Sequence, residues 1–161
     1  MPSMKVVSDS SKTSGTILIV EDSEDDAALT LRSLRRHQII NDIVVAHDGA
    51  EALDWLFGER NGVPGSRRTL PTVVLLDLRL RKVDGLEVLR RIRADKYTRL
   101  VPVVVLTSSK EEEDRLRGYE LGVNNFVQKP VEFRYFSDAV RQLGICWVLL
   151  EQLPSPTSGI Q

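Results

Sequence analysis

Short apolar segments alternate with longer amphipathic segments along the chain, and this alternation constrains the fold more than any other feature. The apolar segments have the length and β-branched content of strands, and they occupy residues 16–21, 42–47, 72–77, 101–107 and 125–128. The intervening segments have apolar residues at helical spacing and cover 24–37, 48–60, 86–95, 108–122 and 131–153. The order βαβαβαβαβα predicts an α/β doubly wound fold, in which a five-stranded parallel sheet has helices on both faces and the C-terminal helix is extended.

Two of the predicted helices begin with a capping signal. Asp48 stands three residues before Glu51, and Ser109 stands three residues before Glu112. At this spacing an N-cap side chain and an acid at the third helical position can each accept a hydrogen bond from free backbone N–H groups. In the first helix, the predicted core-facing residues are Ala28, Leu31 and Leu34.

The composition fits one globular domain with polar ends. Of 161 residues, 42% are hydrophobic and 28% are charged, and the formal net charge is −1. Residues 1–15 are polar and rich in Ser, and residues 154–161 are rich in Pro and Ser, so we expect a disordered N-terminal tail, one domain over 16–153 and a flexible C-terminal tail. No long apolar run or signal-peptide pattern is present, which predicts a cytoplasmic protein without a membrane partner. The near-neutral charge also argues against nucleic acid as a partner.

Polar residues follow the predicted strands at the ends that a parallel sheet brings to one edge. The third strand is a continuous aliphatic run, as in a strand buried on both faces, and it ends in a carboxylate that is costly to bury without a partner. Ligands bind at this edge in doubly wound sheets. The residues concerned are Glu21, Asp22, Asp77, Thr107, Ser108 and Lys129.

These residue types suit phosphoryl transfer with a divalent cation. Three converging carboxylates repel one another unless a cation neutralises them, and Mg²⁺ prefers oxygen ligands of this kind. In phosphoryl transfer the protein supplies mainly position and charge. Asp77 can be the nucleophile, Glu21 and Asp22 the metal acids, Lys129 the cationic clamp and Thr107 the hydroxyl donor.

The sequence resembles the receiver domains of bacterial two-component response regulators over about residues 16–150. The resemblance rests on "ILIVEDSEDD" (17–26), "VVLLDLRLRKVDG" (73–85), "VVVLTSS" (103–109) and "NNFVQKP" (124–130). It implies the flavodoxin-like strand order 2-1-3-4-5 and a single-domain response regulator that a histidine kinase phosphorylates on Asp77. It further implies that Mg²⁺ is held by Asp22, Asp77, the backbone carbonyl of Arg79 and, through water, Glu21. Such a protein hydrolyses its own aspartyl phosphate but is not an enzyme acting on an external substrate.

The resemblance also assigns phosphate-contacting and switch residues, with some departures from the family pattern. Thr107, Ser108 and Lys129 are the phosphate contacts, and Phe126 is the residue that moves inward on activation. The family often has a Tyr at this last position, so Phe126 lacks a hydroxyl to anchor either state. Arg81 stands where the family usually has Pro, which predicts a less rigid loop after the phosphoacceptor.

The long connection at residues 58–71 and the ending "GICWVLLEQLPSP" resemble one branch of the family, the regulators associated with phytochrome-type photoreceptor kinases. If the chain is similar to that branch in function, its partner is a bacteriophytochrome that senses red light. The long connection itself is interpreted as a surface insertion.

The end of the predicted C-terminal helix is apolar on more than one face. Exposed contiguous apolar surface usually marks an interface, and a two-fold dimer is the simplest closed arrangement. We therefore expect a homodimer, unless the 58–71 loop covers this surface within one chain. The candidate interface residues are Cys146, Trp147, Leu149, Leu150 and Leu153.

Other functions fit the sequence less well. An aspartyl-phosphate hydrolase of the haloacid dehalogenase type would need a second acid where Arg79 stands, and a nucleotide- or flavin-binding module would need glycine in the acidic turn "VEDSED". A degenerate receiver that binds proteins without phosphorylation, or a phosphate sink, remains as the alternative. Because no output domain is expected after residue 153, the predicted output is protein–protein contact.

Overall fold

The computed structural model describes the backbone of residues 5–7 and residues 15–36, 41–58, 70–80, 82–117 and 119–142. Within these ranges strands and helices alternate. The strands are β1 Lys5–Val7, β2 Thr16–Val20, β3 Asp42–Ala46, β4 Pro71–Asp77, β5 Val103–Thr107 and β6 Asn125–Gln128. The helices are α1 Glu24–Arg35, α2 Gly49–Phe57, α3 Gly85–Ala94, α4 Lys110–Arg117 and α5 Phe133–Arg141.

The sheet has the predicted parallel core and one additional strand. Strands β2 to β6 are parallel in the order β3-β2-β4-β5-β6, which is the order 2-1-3-4-5 when only these five are numbered. Strand β1 pairs antiparallel with β3 at the edge. The prediction of a disordered tail over residues 1–15 is therefore wrong for residues 5–7, whose backbone pairs with the edge that β3 would otherwise leave open.

Both faces of the sheet are covered, which explains the continuous apolar strands. Successive residues of β2 point to opposite faces: Ile17 and Ile19 join the cluster under α1 and α5, while Leu18 and Val20 join the cluster under α2 and α3. All four are fully buried. A strand covered on both faces has no position for a polar side chain until it ends.

The helices form in the predicted segments, but α4 ends at Arg117, before the predicted end at residue 122, and α1 is rotated. In α2 the apolar residues Ala52, Trp55 and Leu56, which share one face of the helix, are buried. In α1 the buried residues are Ala27, Thr30 and Leu34, and Ala28 is exposed. The predicted face was thus wrong at one residue, because two adjacent alanines fit the helical spacing equally well.

Several predictions concern parts of the chain that the structure does not describe. The connection predicted at 58–71 lies mostly outside the described residues, and so do Arg81, the part of the predicted C-terminal helix beyond residue 142 and the predicted tail at 154–161. Among the residues that are described, no helix combines the length and the apolar character needed to cross a membrane.

Candidate phosphoryl-transfer site

Four parallel strands end at one edge of the sheet, and their ends bring the predicted residues together. Asp77 is the last residue of β4 and lies opposite Leu106 of β5. Thr107 is the last residue of β5, and its carbonyl accepts a hydrogen bond of 2.7 Å from the backbone N–H of Lys129, just after β6. The Lys129–Pro130 peptide bond is cis. Glu21 directly follows β2, so the strand ends alone assemble the candidate site.

Three carboxylates form the acidic part of the site. Glu21 and Asp77 are buried, with 1% and 5% of their surface exposed, and Asp22 is half-buried. One carboxylate oxygen from each of the three lies within 4.8 Å of the others. Such closely grouped buried charges require compensating positive charge.

Lys129 supplies part of that charge. Its Nζ donates to Asp77 Oδ2 at 2.9 Å, to Asp26 Oδ2 at 2.9 Å and to Glu21 Oε1 at 3.2 Å. Burial of the ammonium lowers its pKa, but the hydrogen bonds to Asp77 and Asp26 outweigh this effect, so the pKa of Lys129 is raised. The ammonium is therefore charged at neutral pH.

One lysine does not balance the carboxylates. Burial of the Glu21 carboxyl, followed by repulsion from Asp77, raises its pKa from 4.5 to about 7, although Lys129 acts in the opposite direction. Burial and the neighbouring Asp77 carboxylate both disfavour the ionised form of Glu21, and Lys129 does not fully offset them. A further cation at this position would relieve the repulsion.

The three carboxylates fit a divalent cation. Ligands on opposite sides of Mg²⁺ are about 4 Å apart, since each oxygen lies about 2.1 Å from the ion. Adjacent ligands are about 3 Å apart, so the oxygens of Glu21, Asp22 and Asp77, which are within 4.8 Å of one another, are grouped closely enough to surround one ion. Hard oxygen donors without nitrogen or sulfur are typical of sites for Mg²⁺, Mn²⁺ and Ca²⁺.

The backbone after β4 is packed closely around Asp77. The N–H of Arg79 donates to Asp77 Oδ1 at 2.9 Å. Helix α3 begins at Gly85, where a Cβ atom would lie 2.6 Å from the carbonyl oxygen of Asp77 and 2.4 Å from the Cα of Leu78. Only glycine permits this close approach, which holds the start of α3 against the strand end.

Thr107 and Ser108 lie on the adjacent strand end but have different surroundings. Thr107 is fully buried, and its Oγ1 has no hydrogen-bond partner among the described residues. The backbone N–H and the hydroxyl of Ser108 both donate to Glu112 Oε1, at 2.7 and 3.0 Å. Glu112 also forms an ion pair of 2.8 Å with Arg79. The hydroxyl of Thr107 thus has unused hydrogen-bonding capacity among the described residues, whereas the donors of Ser108 are already engaged by Glu112.

Phe126 lies on β6 and is stacked by an arginine. Its ring is half-buried, and the guanidinium carbon of Arg117 lies 4.6 Å from the ring centroid. Arg117 is in turn held by a hydrogen bond of 2.8 Å from its Nε to Glu113 Oε2. The Phe126 ring, which has no hydroxyl group, is therefore contacted by the guanidinium of Arg117 in α4.

The structure brings most of the predicted site residues together and adds two that the sequence analysis missed. Glu21, Asp22, Asp77 and Lys129 form one cluster, with Thr107 and Ser108 on the next strand; the roles assigned to them stay predictions. Asp26 was missed because an acid in the first turn of a helix is already explained by the helix dipole, and Glu112 because its place in a capping box already explained it. The predicted interface residues Cys146, Trp147, Leu149, Leu150 and Leu153 lie outside the described residues.

Comparison with known proteins agrees with this arrangement. The response regulator receiver domain family matches residues 17–141. The probable methanogenesis regulatory protein FilR2 of Methanothrix harundinacea is 39% identical over 87% of this chain and 88% of its own length. Response regulator Rcp1 of Synechocystis is 34% identical over 92% of this chain and 99% of its own length.

Solved structures give the same result, two of them at higher identity. The bacteriophytochrome response regulator AtBRR is 51% identical with a TM-score of 0.74, covering 86% of this chain and 98% of its own. RtBRR, also a bacteriophytochrome response regulator, is 46% identical with a TM-score of 0.76, and the match covers 90% of this chain and 87% of RtBRR. The Mn²⁺-bound form of Rcp1 is 33% identical with a TM-score of 0.62, and the match covers 88% of this chain and 99% of Rcp1. The chain belongs to the response regulator receiver domain family, with the phosphorelay receiver function of that family, and is homologous to AtBRR, RtBRR and Rcp1.

Proposed function

We propose that Asp77 is the phosphoacceptor and that it receives a phosphoryl group from the phosphohistidine of a histidine kinase. The observation that carries the proposal is the position of Asp77, which is buried at a strand end within 2.9 Å of the Lys129 ammonium and beside Glu21 and Asp22. A buried carboxylate among these groups is activated by position and charge rather than by a general base, as phosphoryl transfer requires.

The residues of the site have separate tasks in this reaction. A carboxylate oxygen of Asp77 attacks phosphorus, an O–P bond forms, and the P–N bond to the imidazole breaks with its electron pair left on nitrogen. Lys129 places positive charge beside the phosphoryl oxygens, and the Thr107 hydroxyl, which has no partner among the described residues, donates to one of them. Hydrolysis by water later restores the carboxylate.

The proposed cofactor is Mg²⁺, held by Asp22, Asp77, the backbone carbonyl of Arg79 and, through water, Glu21. When bound, a divalent cation supplies charge neutralisation for the acids and for the phosphoryl oxygens. Support comes from the grouping of the three carboxylates and from the relative Rcp1, which has been solved in a Mn²⁺-bound form.

A direct test uses a small phosphodonor. We expect the wild-type protein to gain the mass of one phosphoryl group from acetyl phosphate when Mg²⁺ is present and not in EDTA, measured by intact-mass spectrometry. The Asp77→Asn variant, which keeps the size of the side chain, should gain none. An undiminished adduct in this variant would refute the assignment of Asp77.

The proposed kinase is a bacteriophytochrome, because AtBRR and RtBRR carry that designation, and the proposed location is the cytoplasm. Phosphotransfer from a phosphorylated bacteriophytochrome kinase should be faster than from an unrelated histidine kinase, measured by transfer of radioactive phosphate. Equal rates from both kinases would contradict this partner.

We also propose a homodimer, with the interface at residues 146–153. The apolar sequence of that segment supports this proposal. Signalling by contact with other proteins does not depend on the dimer. In analytical ultracentrifugation the intact chain should be a dimer, and a chain truncated after Gly144 should be a monomer. A monomeric intact chain at micromolar concentration would exclude the dimer.

A further inference from the structure

The ammonium group of Lys129 is shared by three carboxylates, and one of them has no assigned role. An ammonium has three N–H donors, and those of Lys129 point to Asp77 at 2.9 Å, Glu21 at 3.2 Å and Asp26 at 2.9 Å. Asp77 and Glu21 belong to the acidic cluster at the strand ends. Asp26 belongs to α1 and, among the described residues, contacts the site through the lysine alone.

Asp26 is held in place by the start of α1. Its backbone N–H donates to the Oγ of the N-cap residue Ser23 at 3.1 Å, so its position is fixed by the cap. Glu24 and Asp25 in the same turn are exposed, whereas the Asp26 side chain is 37% exposed and turned to the lysine. Compensation of the helix dipole accounts for all three acids equally and does not explain why one of them contacts the site.

The three partners of Lys129 are not equivalent during phosphoryl transfer. Asp77 gives one oxygen to the new O–P bond, and Glu21 is among the acids that fit a metal ion. Both contacts to the lysine therefore change when phosphate and metal are present. Asp26 lies outside the metal-fitting group, and its contact to the ammonium can persist in both states.

A persistent contact matters because lysine is flexible. Its four-carbon stem carries about 2 kcal/mol of rotamer entropy, and a cation that is displaced by about 1 Å from the reacting group loses much of its effect on the rate. A fixed carboxylate that accepts a hydrogen bond from the ammonium, as Asp26 does at 2.9 Å, limits that displacement.

We propose that Asp26 is a positioning residue for Lys129, which it holds beside the phosphoryl oxygens before and after transfer to Asp77. The proposal rests on the function proposed above, because it assumes that Asp77 is the phosphoacceptor. Asp26 does not touch the reacting atoms and takes no part in metal binding. Its effect on the reaction is transmitted entirely by the lysine.

The test is a double-mutant cycle on the phosphorylation rate. Asp26→Ala should lower the saturating rate of phosphorylation by acetyl phosphate about threefold to tenfold. In a Lys129→Ala background the same substitution should have no further effect, because the residue that it positions is absent. Asp25→Ala, in the same helical turn, is the matched control and should leave the rate unchanged.

Two further measurements separate positioning from other causes. The Mg²⁺ dissociation constant, measured by isothermal titration calorimetry, should be the same in wild type and Asp26→Ala, since Asp26 is not among the three acids that fit the metal. If the phosphorylation rate of Lys129→Ala is too low to measure, the double-mutant cycle can be built from beryllofluoride binding free energies, measured by calorimetry. Asp26→Asn, which retains a carbonyl oxygen as acceptor, should restore part of the lost rate.

The outcomes are distinct. An unchanged or increased rate in Asp26→Ala overturns the proposal, and so does an equal loss in the wild-type and Lys129→Ala backgrounds, which would indicate a general structural effect. Failure of the underlying function would appear differently, as phosphorylation that survives Asp77→Asn.

Discussion

Substitution of Glu21 by Gln is expected to stabilise the metal-free protein, although it removes a charged group from an ion-pair network. The folded protein raises the pKa of Glu21 from 4.5 to about 7, mainly because the carboxyl is buried and secondly because Asp77 is close. Between pH 4.5 and about pH 7, the Glu21 carboxyl is therefore protonated to a greater extent in the folded state than in the unfolded state. Stability is retained below the unfolded pKa and is lost as the pH rises towards 7.

The size of the effect follows from the shift. A change from 4.5 to about 7 corresponds to about 3 kcal/mol of unfolding free energy lost above the folded pKa. Glutamine has nearly the same shape, and its amide oxygen can still accept the 3.2 Å hydrogen bond from the backbone N–H of Ser23. Glu21→Gln should thus recover most of the lost stability at about pH 8 and very little of it at about pH 4.

Urea unfolding in EDTA at a series of pH values measures this directly. Wild type should become less stable relative to Glu21→Gln as the pH rises, and added Mg²⁺ should stabilise wild type more than the variant, since ligand binding favours the folded state. Glu24→Gln removes an exposed acid outside the cluster and serves as the control, with no stabilisation at any pH. A Glu21→Gln protein that is less stable than wild type at about pH 8 would show that Lys129 already neutralises the cluster.

Further predictions concern the groups around the site. Thr107→Ala should still be phosphorylated but should lose the beryllofluoride-induced change in amide exchange of β5 and β6, because the hydroxyl that couples the phosphoryl group to these strands is absent; an equal change in both proteins would contradict this. Glu112→Gln should weaken the acceptor for Ser108, so that the Ser108 amide exchanges faster and the unfolding free energy falls by about 1 kcal/mol, and unchanged protection there would contradict it. Arg117→Met should remove the cation stacked on Phe126 and cost about 0.5–1 kcal/mol of stability, with Arg117→Lys losing less; equal stability of all three proteins would show that the stacking contributes nothing.

The parallel sheet and its edge could be predicted because both depend on local sequence. Each central strand is buried on two faces and reads as a continuous apolar run, so its end is marked by the first polar residue. For β4 this residue is Asp77, and for β5 the run ends at Thr107. Since parallel strands end at the same edge, the site followed from the strand ends without knowledge of any contact.

The features that were missed depend on tertiary contacts. Strand β1 has only three residues, Lys5–Val7, and its pairing depends on the free edge of β3, which no local pattern reveals. The buried face of α1 could not be predicted exactly, because Ala27 and Ala28 are identical residues at adjacent positions. The contact of Asp26 with Lys129 joins residues that are 103 positions apart in the sequence. Nothing in the first turn of α1 distinguishes Asp26 from the acids that face solvent.

The central claim is that Asp77 itself carries the phosphoryl group. Aspartyl phosphate is an acyl phosphate, which borohydride reduces to homoserine, so the modified residue can be located by peptide mass spectrometry after reaction with acetyl phosphate and Mg²⁺. We predict homoserine at position 77 and no conversion at Glu21, Asp22 or Asp26. Conversion at any other acid, or none at position 77 in a protein that has gained phosphate, would contradict the account.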